Sequence, residues 1–239
     1  ILGYGEHNSH RIVSFFKDEP IVGGFLLGFF FLLMGFLKDY YKKNQIIPYL
    51  FLVFMIIGVL LTGERSNTIK IFFGGIIIIF LINEIDLKKK ILILFSLISL
   101  MILVISNSYF LQIRLKQLSN QIVNETIYYD LYKSGIQVFD NHKIFGVGNK
   151  NYRIETCEKT KHNNVYLTDK YYCSTHPHQI YFEILSEHGI VGALIIFFII
   201  YKLIFSKIIE IVKSKSYQRK FTLLYLMLVF TPFIPSGSF

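Results

Sequence analysis

Six stretches of this sequence carry no charged side chain: residues 21–37, 44–63, 71–83, 91–113, 189–201 and 221–239. A helix crosses the hydrocarbon core of a bilayer with roughly 20 mostly apolar residues, or about 17 at the short end. Four of the stretches meet that length directly. The two shortest, 71–83 and 189–201, qualify only if Lys70 and Lys202 beside them extend their ammonium groups to the membrane surface. The chain is 53% hydrophobic and 17% aromatic with a mean hydropathy of +0.47, which argues against a soluble protein with buried helices. The expected fold class is an all-α integral membrane protein of about six transmembrane helices.

Charge placement sets the expected topology. The net charge of +9 is concentrated in alternate short connections: Lys38, Lys42 and Lys43, then Lys88, Lys89 and Lys90, then Lys207, Lys213, Lys215, Arg219 and Lys220. The intervening connection, 63–67, has Arg65 as its one cation. Lysine and arginine collect in short cytoplasmic loops, whereas long loops cross regardless of charge. The N-terminal segment and the 63–67 turn are therefore expected outside, as is the long stretch from 106 to 188 between the fourth and fifth spans. The expected division is 1–105 (four transmembrane helices and an external N-terminal segment), 106–188 (external loop) and 189–239 (two further helices). The basicity is a topology signal; the cationic stripe with stacking aromatics that would bind nucleic acid is missing. The sequence begins at Ile1 without an initiator methionine and stops inside an apolar run, so it is expected to be part of a longer protein.

An external loop of about 80 residues exceeds the roughly 15 beyond which loops are usually functional or disordered. Its composition predicts order. Ile127, Leu131, Gly135 or Ile136, and Phe139 recur at an approximately helical period over 126–139, and Asp140 and Asn141 are expected to end that amphipathic helix. Gly146 and Gly148 imply a tight turn in which backbone approaches a neighbour or ligand. Cys157 and Cys173, an even pair in an oxidising compartment, are expected to form a disulfide worth roughly 3 kcal/mol in the chain-entropy model. A second helix is expected to start near Thr175 as cap, with Pro177 and His178 in its first turn and Gly189 ending or bending it.

The segment THPHQIYFEILSEHGIVG carries a resemblance. His178, Gln179, Gly189 and Ile190 match a pattern of histidine, then Asn, Ser or Gln, nine residues, then glycine and an aliphatic residue. In this it resembles the bacterial O-antigen ligases and the related O-antigen polymerases. The upstream GERSN, with Arg65, is similar to the family's arginine motif, and DNHKIFGVG to its stretch leading into a Gly-x-Gly turn. The resemblance covers the chain from about Arg11 to Gly192. It implies a multi-pass protein of the bacterial inner membrane with its active loop in the periplasm. It also implies metal-independent transfer of a glycan from an undecaprenyl diphosphate carrier to an acceptor hydroxyl, with no cofactor. The acceptor would be lipid A core for a ligase, or a second glycan for a polymerase; membrane lipids are the surrounding partners.

That chemistry needs a cation for the diphosphate leaving group, for which arginine is suited by its permanent charge and bidentate fork. It also needs a neutral base for the acceptor proton. The resemblance assigns these roles to Arg65 and His178. The positive end of the predicted helix would hold the imidazole of His178 uncharged. The simpler alternatives are an interface anchor paired with Glu64 or a lipid phosphate for Arg65, and a loop-backbone partner for His178. The family commonly has a further loop arginine followed by tryptophan; here the corresponding run, IYYDLYK, has neither. Arg153 and Arg11 are candidate substitutes, each with ordinary solvated charge as its simpler reading. Gln179 and His176 are further candidate substrate-binding residues, with loop shaping as the simpler role of His176. A metal site built from His162, His176, His178, Cys157 and Cys173 lacks the usual ligand spacing. A lipid-linked sugar transporter would place polar residues at mid-membrane, whereas here they gather at one surface. A non-enzymatic membrane partner would not need His178.

Overall fold

A computed structural model of the chain describes residues 7–8, 11–12, 21–41, 46–123, 127–158 and 171–232; at 7–8, 11–12, 118–123 and 158 it describes backbone alone. Apart from a two-residue antiparallel pairing of β1 (His7–Asn8) with β2 (Arg11–Ile12), the described elements are helical. The chain divides into two compact units, Ile1–Ser119 with Ile209–Leu228, and Asn120–Ile208 with Val229–Phe239.

The first unit holds α1 (Val22–Tyr40), α2 (Ile46–Leu61), α3 (Arg65–Leu81), α4 (Leu87–Ser106) and most of α5 (Tyr109–Val123). The last helix, α9 (Tyr217–Val229), belongs to it up to Leu228. Its core is a single apolar cluster around Phe30, Phe31, Leu52, Ile56, Ile71 and Phe221. Large apolar side chains on the outward faces, among them Phe25, Phe54, Phe73 and Phe95, stay exposed, as helices bathed in lipid tails require. α1 and α4 are long and apolar enough to cross a membrane, as is the run Ile180–Lys213, which begins in the second unit, and α2 is a shorter apolar helix. Part of the sixth apolar stretch, 233–239, lies outside the described residues.

Asp39, just before the end of α1, caps α9. Its carboxylate accepts from the Tyr217 and Gln218 backbone N–H groups at 2.9 and 3.1 Å, and from the Ser216 hydroxyl at 2.8 Å. Beside it the buried Lys38 ammonium lies 3.1 Å from Glu84 and 5.1 Å over the Tyr217 ring, while the Tyr217 hydroxyl donates to Glu84. Partial burial alone would raise the Glu84 pKa, but hydrogen bonds from Lys38 and Tyr217 outweigh it and hold the carboxyl below its ordinary value.

The uncharged stretch 91–113 is divided between two helices, α4 ending at Ser106 and α5 beginning at Tyr109. The polar run Ser106-Asn107-Ser108 breaks it, because Ser106 and Asn107 turn their side chains onto the Leu103 carbonyl at 3.0 and 2.8 Å. Lys70 does not reach outward to the membrane surface. Helix α3 starts five residues earlier, at Arg65, so Lys70 sits a turn inside it and is only 6% exposed. Lys202, by contrast, is exposed, its ammonium 5.7 Å over the Phe198 ring.

The second unit is built on α6 (Ile127–Asn141) and α7 (Ile180–Leu203), which pack on one another; α8 (Ile208–Lys213), which follows α7 in sequence, belongs to the first unit from Ile209 on. The amphipathic pattern read at 126–139 corresponds to α6, whose buried face is Leu131, Ser134, Gly135 and Val138. Gly135 admits Pro177 and Phe182, each with its Cβ 3.1 Å from where a Gly135 Cβ would stand, and the Tyr132 and Phe182 rings lie 5.3 Å apart. A disulfide joins Cys157 to Cys173, tying the short helical turn Ile154–Glu158 to the strand-like segment before His176.

Candidate functional site

In the first unit, Arg65 is the first residue of α3, the end of the helix whose free N–H groups favour an anion, and its side chain is half-buried. The turn that launches α3 is heavily braced. The Thr62 hydroxyl donates to Val59 O at 2.7 Å and accepts from Glu64 N–H at 3.2 Å, and Gly63 takes a left-handed φ of 75°. Glu64 is buried; its carboxylate accepts from the Gly23 N–H and, at 2.6 Å, from the Asn67 side chain. Sequence reasoning missed one member of this group. Arg114 of α5, 6% exposed, donates from Nε and Nη2 to Gly63 O, both at 3.3 Å, and from Nη1 to Gln117 at 2.7 Å. Arg114 falls in the 106–188 stretch read as external loop, in which the first helix was expected only at 126; the Ser-Asn-Ser run at 106–108 was the signal that a separate helix starts there.

In the second unit, His178 is half-buried and adopts a left-handed φ of 55°, uncommon for a residue with a side chain and a frequent mark of a functional position. The helix after it begins at Ile180, not near Thr175 as expected. Pro177 biases His176 away from helical backbone, and Gln179 takes the cap: its side-chain oxygen accepts from Tyr181 and Phe182 N–H at 2.7 and 3.0 Å. Its amide nitrogen donates to Pro232 O at 2.9 Å. Gln179 is thus buried and engaged at both ends of its amide, and His178 stands one residue outside the helix, beyond its first turn. Thr175 instead bonds the His176 ring at 2.9 Å.

The His176 and His178 rings lie 4.1 Å apart. Burial, followed by the neighbouring His178, lowers the His176 pKa to about 4, so the ring beside the candidate base is uncharged. The preceding backbone is pinned as well. Ser134 accepts from Tyr172 N–H, Thr156 donates to Ser174 O at 3.2 Å, and Ser174 donates to His176 O at 2.9 Å.

The spacing from Gln179 to Gly189 now has a structural meaning: Gln179 caps one straight helical segment, and Gly189, at φ 62° and ψ −168°, breaks it. The broken backbone is completed by the glycine turn of 143–148. Val147 and Gly148 N–H donate to Ser186 and Glu187 O at 3.0 and 2.8 Å, and Ile190 and Val191 N–H donate to Lys143 and Ile144 O at 2.8 and 3.2 Å. A Cβ on Gly189 would fall 2.3 Å from Ile144 O, and one on Gly146 2.3 Å from the Glu187 carbonyl carbon. The buried Glu187 carboxylate accepts from Lys150 N–H at 2.9 Å, closing the turn.

Arg153 is exposed. Arg11 lies in β2 with only its backbone described, and His162 lies outside the described residues. Among the described residues no three His, Cys, Asp or Glu side chains gather as a metal ion would require.

A family model described as O-antigen ligase matches residues 50–197, more than half of the chain and inclusive of Arg65, Arg114, His178 and Gly189. No curated protein and no solved structure matches it. The chain, with its apolar helices, its GERSN turn and its capped, glycine-broken helix after His178, belongs to the O-antigen ligase family.

Proposed function

We propose that this protein is an inner-membrane glycosyltransferase that moves a glycan from undecaprenyl diphosphate to an acceptor hydroxyl on the periplasmic side, without a metal ion. In this reading His178 is the base and Arg65 binds the diphosphate. The carrying observation is that His178, inside the family match, is held in a left-handed conformation directly before a capped helix. Such backbone persists only where the surroundings enforce it, and it turns the imidazole away from the path that helix or strand would give it.

The step balances simply. The acceptor oxygen attacks the anomeric carbon, forming the new glycosidic bond as the bond to the diphosphate oxygen breaks. The hydroxyl proton passes to the unprotonated nitrogen of His178 and then to water. Undecaprenyl diphosphate leaves with an added negative charge, which a guanidinium at a helix N-terminus neutralises. The topology proposed is about six spans with 106–188 outside, the arrangement that puts both groups on the side where lysine is scarce.

The ligase reading is preferred to the polymerase reading because the matching family is that of the O-antigen ligases; both use the same donor. The test is transfer by the full-length protein from an undecaprenyl diphosphate glycan, with lipid A core or a second glycan unit as acceptor, in EDTA. Product on lipid A core is expected. Product only on the second glycan would make it a polymerase, and no transfer until a divalent metal is restored would overturn metal independence. Arg65→Ala is expected to weaken donor binding; unchanged donor binding would leave Arg65 an interface anchor.

A further inference from the structure

Helix α5 reaches back 51 residues in sequence to grip the turn that carries Arg65. The grip falls on one peptide unit. The carbonyl oxygen of the Gly63–Glu64 peptide accepts from Arg114 Nε and Nη2, both at 3.3 Å, and the N–H of the same peptide donates to the Thr62 hydroxyl at 3.2 Å. Because a peptide is planar, holding its oxygen and its hydrogen fixes the orientation of the whole unit. Gly63 supplies the left-handed φ of 75° that this orientation needs. The next residue after that unit's Cα is Arg65, so the direction in which α3 departs, and with it the guanidinium of Arg65, follows from the held peptide. The fork of Arg114 is itself fixed from its other side by Gln117 at 2.7 Å, one turn along α5.

A buried guanidinium is a costly way to brace a turn. It is 6% exposed, and an apolar side chain would fill the same space without desolvating a charge. Its rigid planar fork, however, fixes an angle as well as a distance, which an apolar contact or a lysine does not. We infer that Arg114 is a positioning residue: it aims Arg65 by locking the Gly63–Glu64 peptide and so sets affinity for the anionic, diphosphate-bearing donor. This rests on the donor-binding role of Arg65 proposed above.

The test is equilibrium binding of an undecaprenyl diphosphate glycan to the full-length protein in nanodiscs, for the wild type, R65A, R114A and the double variant, with acceptor KM measured alongside. R114A is expected to raise the donor Kd about tenfold, the scale of one lost charged hydrogen-bond set, and to leave acceptor KM unchanged. The double variant is expected to match R65A within about twofold, because residues that act through one another are not additive. A donor Kd unchanged in R114A overturns the inference, as does a double variant whose effect is the product of the two singles. Should R114A fail to insert, R114K keeps the charge and most of the side chain's reach without the fork and is expected to raise the donor Kd similarly; an unchanged value there is equally contrary. If R65A itself leaves the donor Kd unchanged, the diphosphate role of Arg65 fails first, whereas an affected R65A with a silent R114A removes only the positioning role.

Discussion

At the scale of single residues, the two histidines of the 175–179 segment divide the work. His176 is half-buried beside His178 with its pKa lowered to about 4, against an ordinary value of 6.5. Between those values the unfolded chain binds a proton at this ring that the folded protein does not, so folding stability falls as the pH drops from 6.5 toward 4. Thermal melts of the wild type are expected to show that decline, and His176→Asn should flatten it; an equal slope in both proteins would contradict the assignment. Gln179 was expected among the substrate contacts, yet its amide is engaged by Tyr181, Phe182 and Pro232. Gln179→Ala is expected to cost about 1 kcal/mol as a lost helix cap and to lower kcat more than it raises acceptor KM, because His178 loses its anchor. The sequence disclosed which residue types were present but not this division, since burial of one imidazole and capping by its neighbour depend on where α7 starts. Thr175 satisfies the usual capping preference and Gln179 does not, yet the left-handed His178 keeps the helix from starting before Gln179.

At the scale of elements, the device that supports His178 is the exchange of backbone hydrogen bonds between α7 and the 143–148 turn. A helix broken at Gly189 leaves donors and acceptors without intrahelical partners, and burying them unpaired would cost more than the helix could supply. The turn provides both kinds, so glycine is needed on each side for the backbones to approach. Gly189→Ala is expected to destabilise the protein by more than about 1 kcal/mol, from the strain of φ 62° and the clash with Ile144 O. A melting temperature equal to the wild type would mean that the turn yields freely. The amphipathic period of 127–141 and the bend at Gly189 were legible because each follows from local pattern. Helix α5 was not legible: it lies in the stretch 106–188 read as external loop, where the first helix was expected only at 126, and Arg114 was missed with it.

At the scale of the whole molecule, membership of the O-antigen ligase family and the presence of apolar, membrane-length helices were both readable from the sequence. Hydropathy reports what a segment can be dissolved in, and a histidine-to-glycine spacing reports one capped helical segment, so neither needs tertiary knowledge. The partners of buried charge are a different matter. Lys70 was read as reaching the membrane surface and is enclosed, because the side on which a helix is covered depends on neighbours far along the chain. The account as a whole stands on His178 as the group that takes the acceptor proton. Its most direct test is His178→Ala in the full-length protein, assayed for glycan transfer and, separately, for binding of the undecaprenyl diphosphate donor. Transfer is expected to fall by a factor of at least about 100, the usual contribution of a general base, with donor binding and membrane insertion unchanged. Transfer at the wild-type rate in that variant would contradict the account.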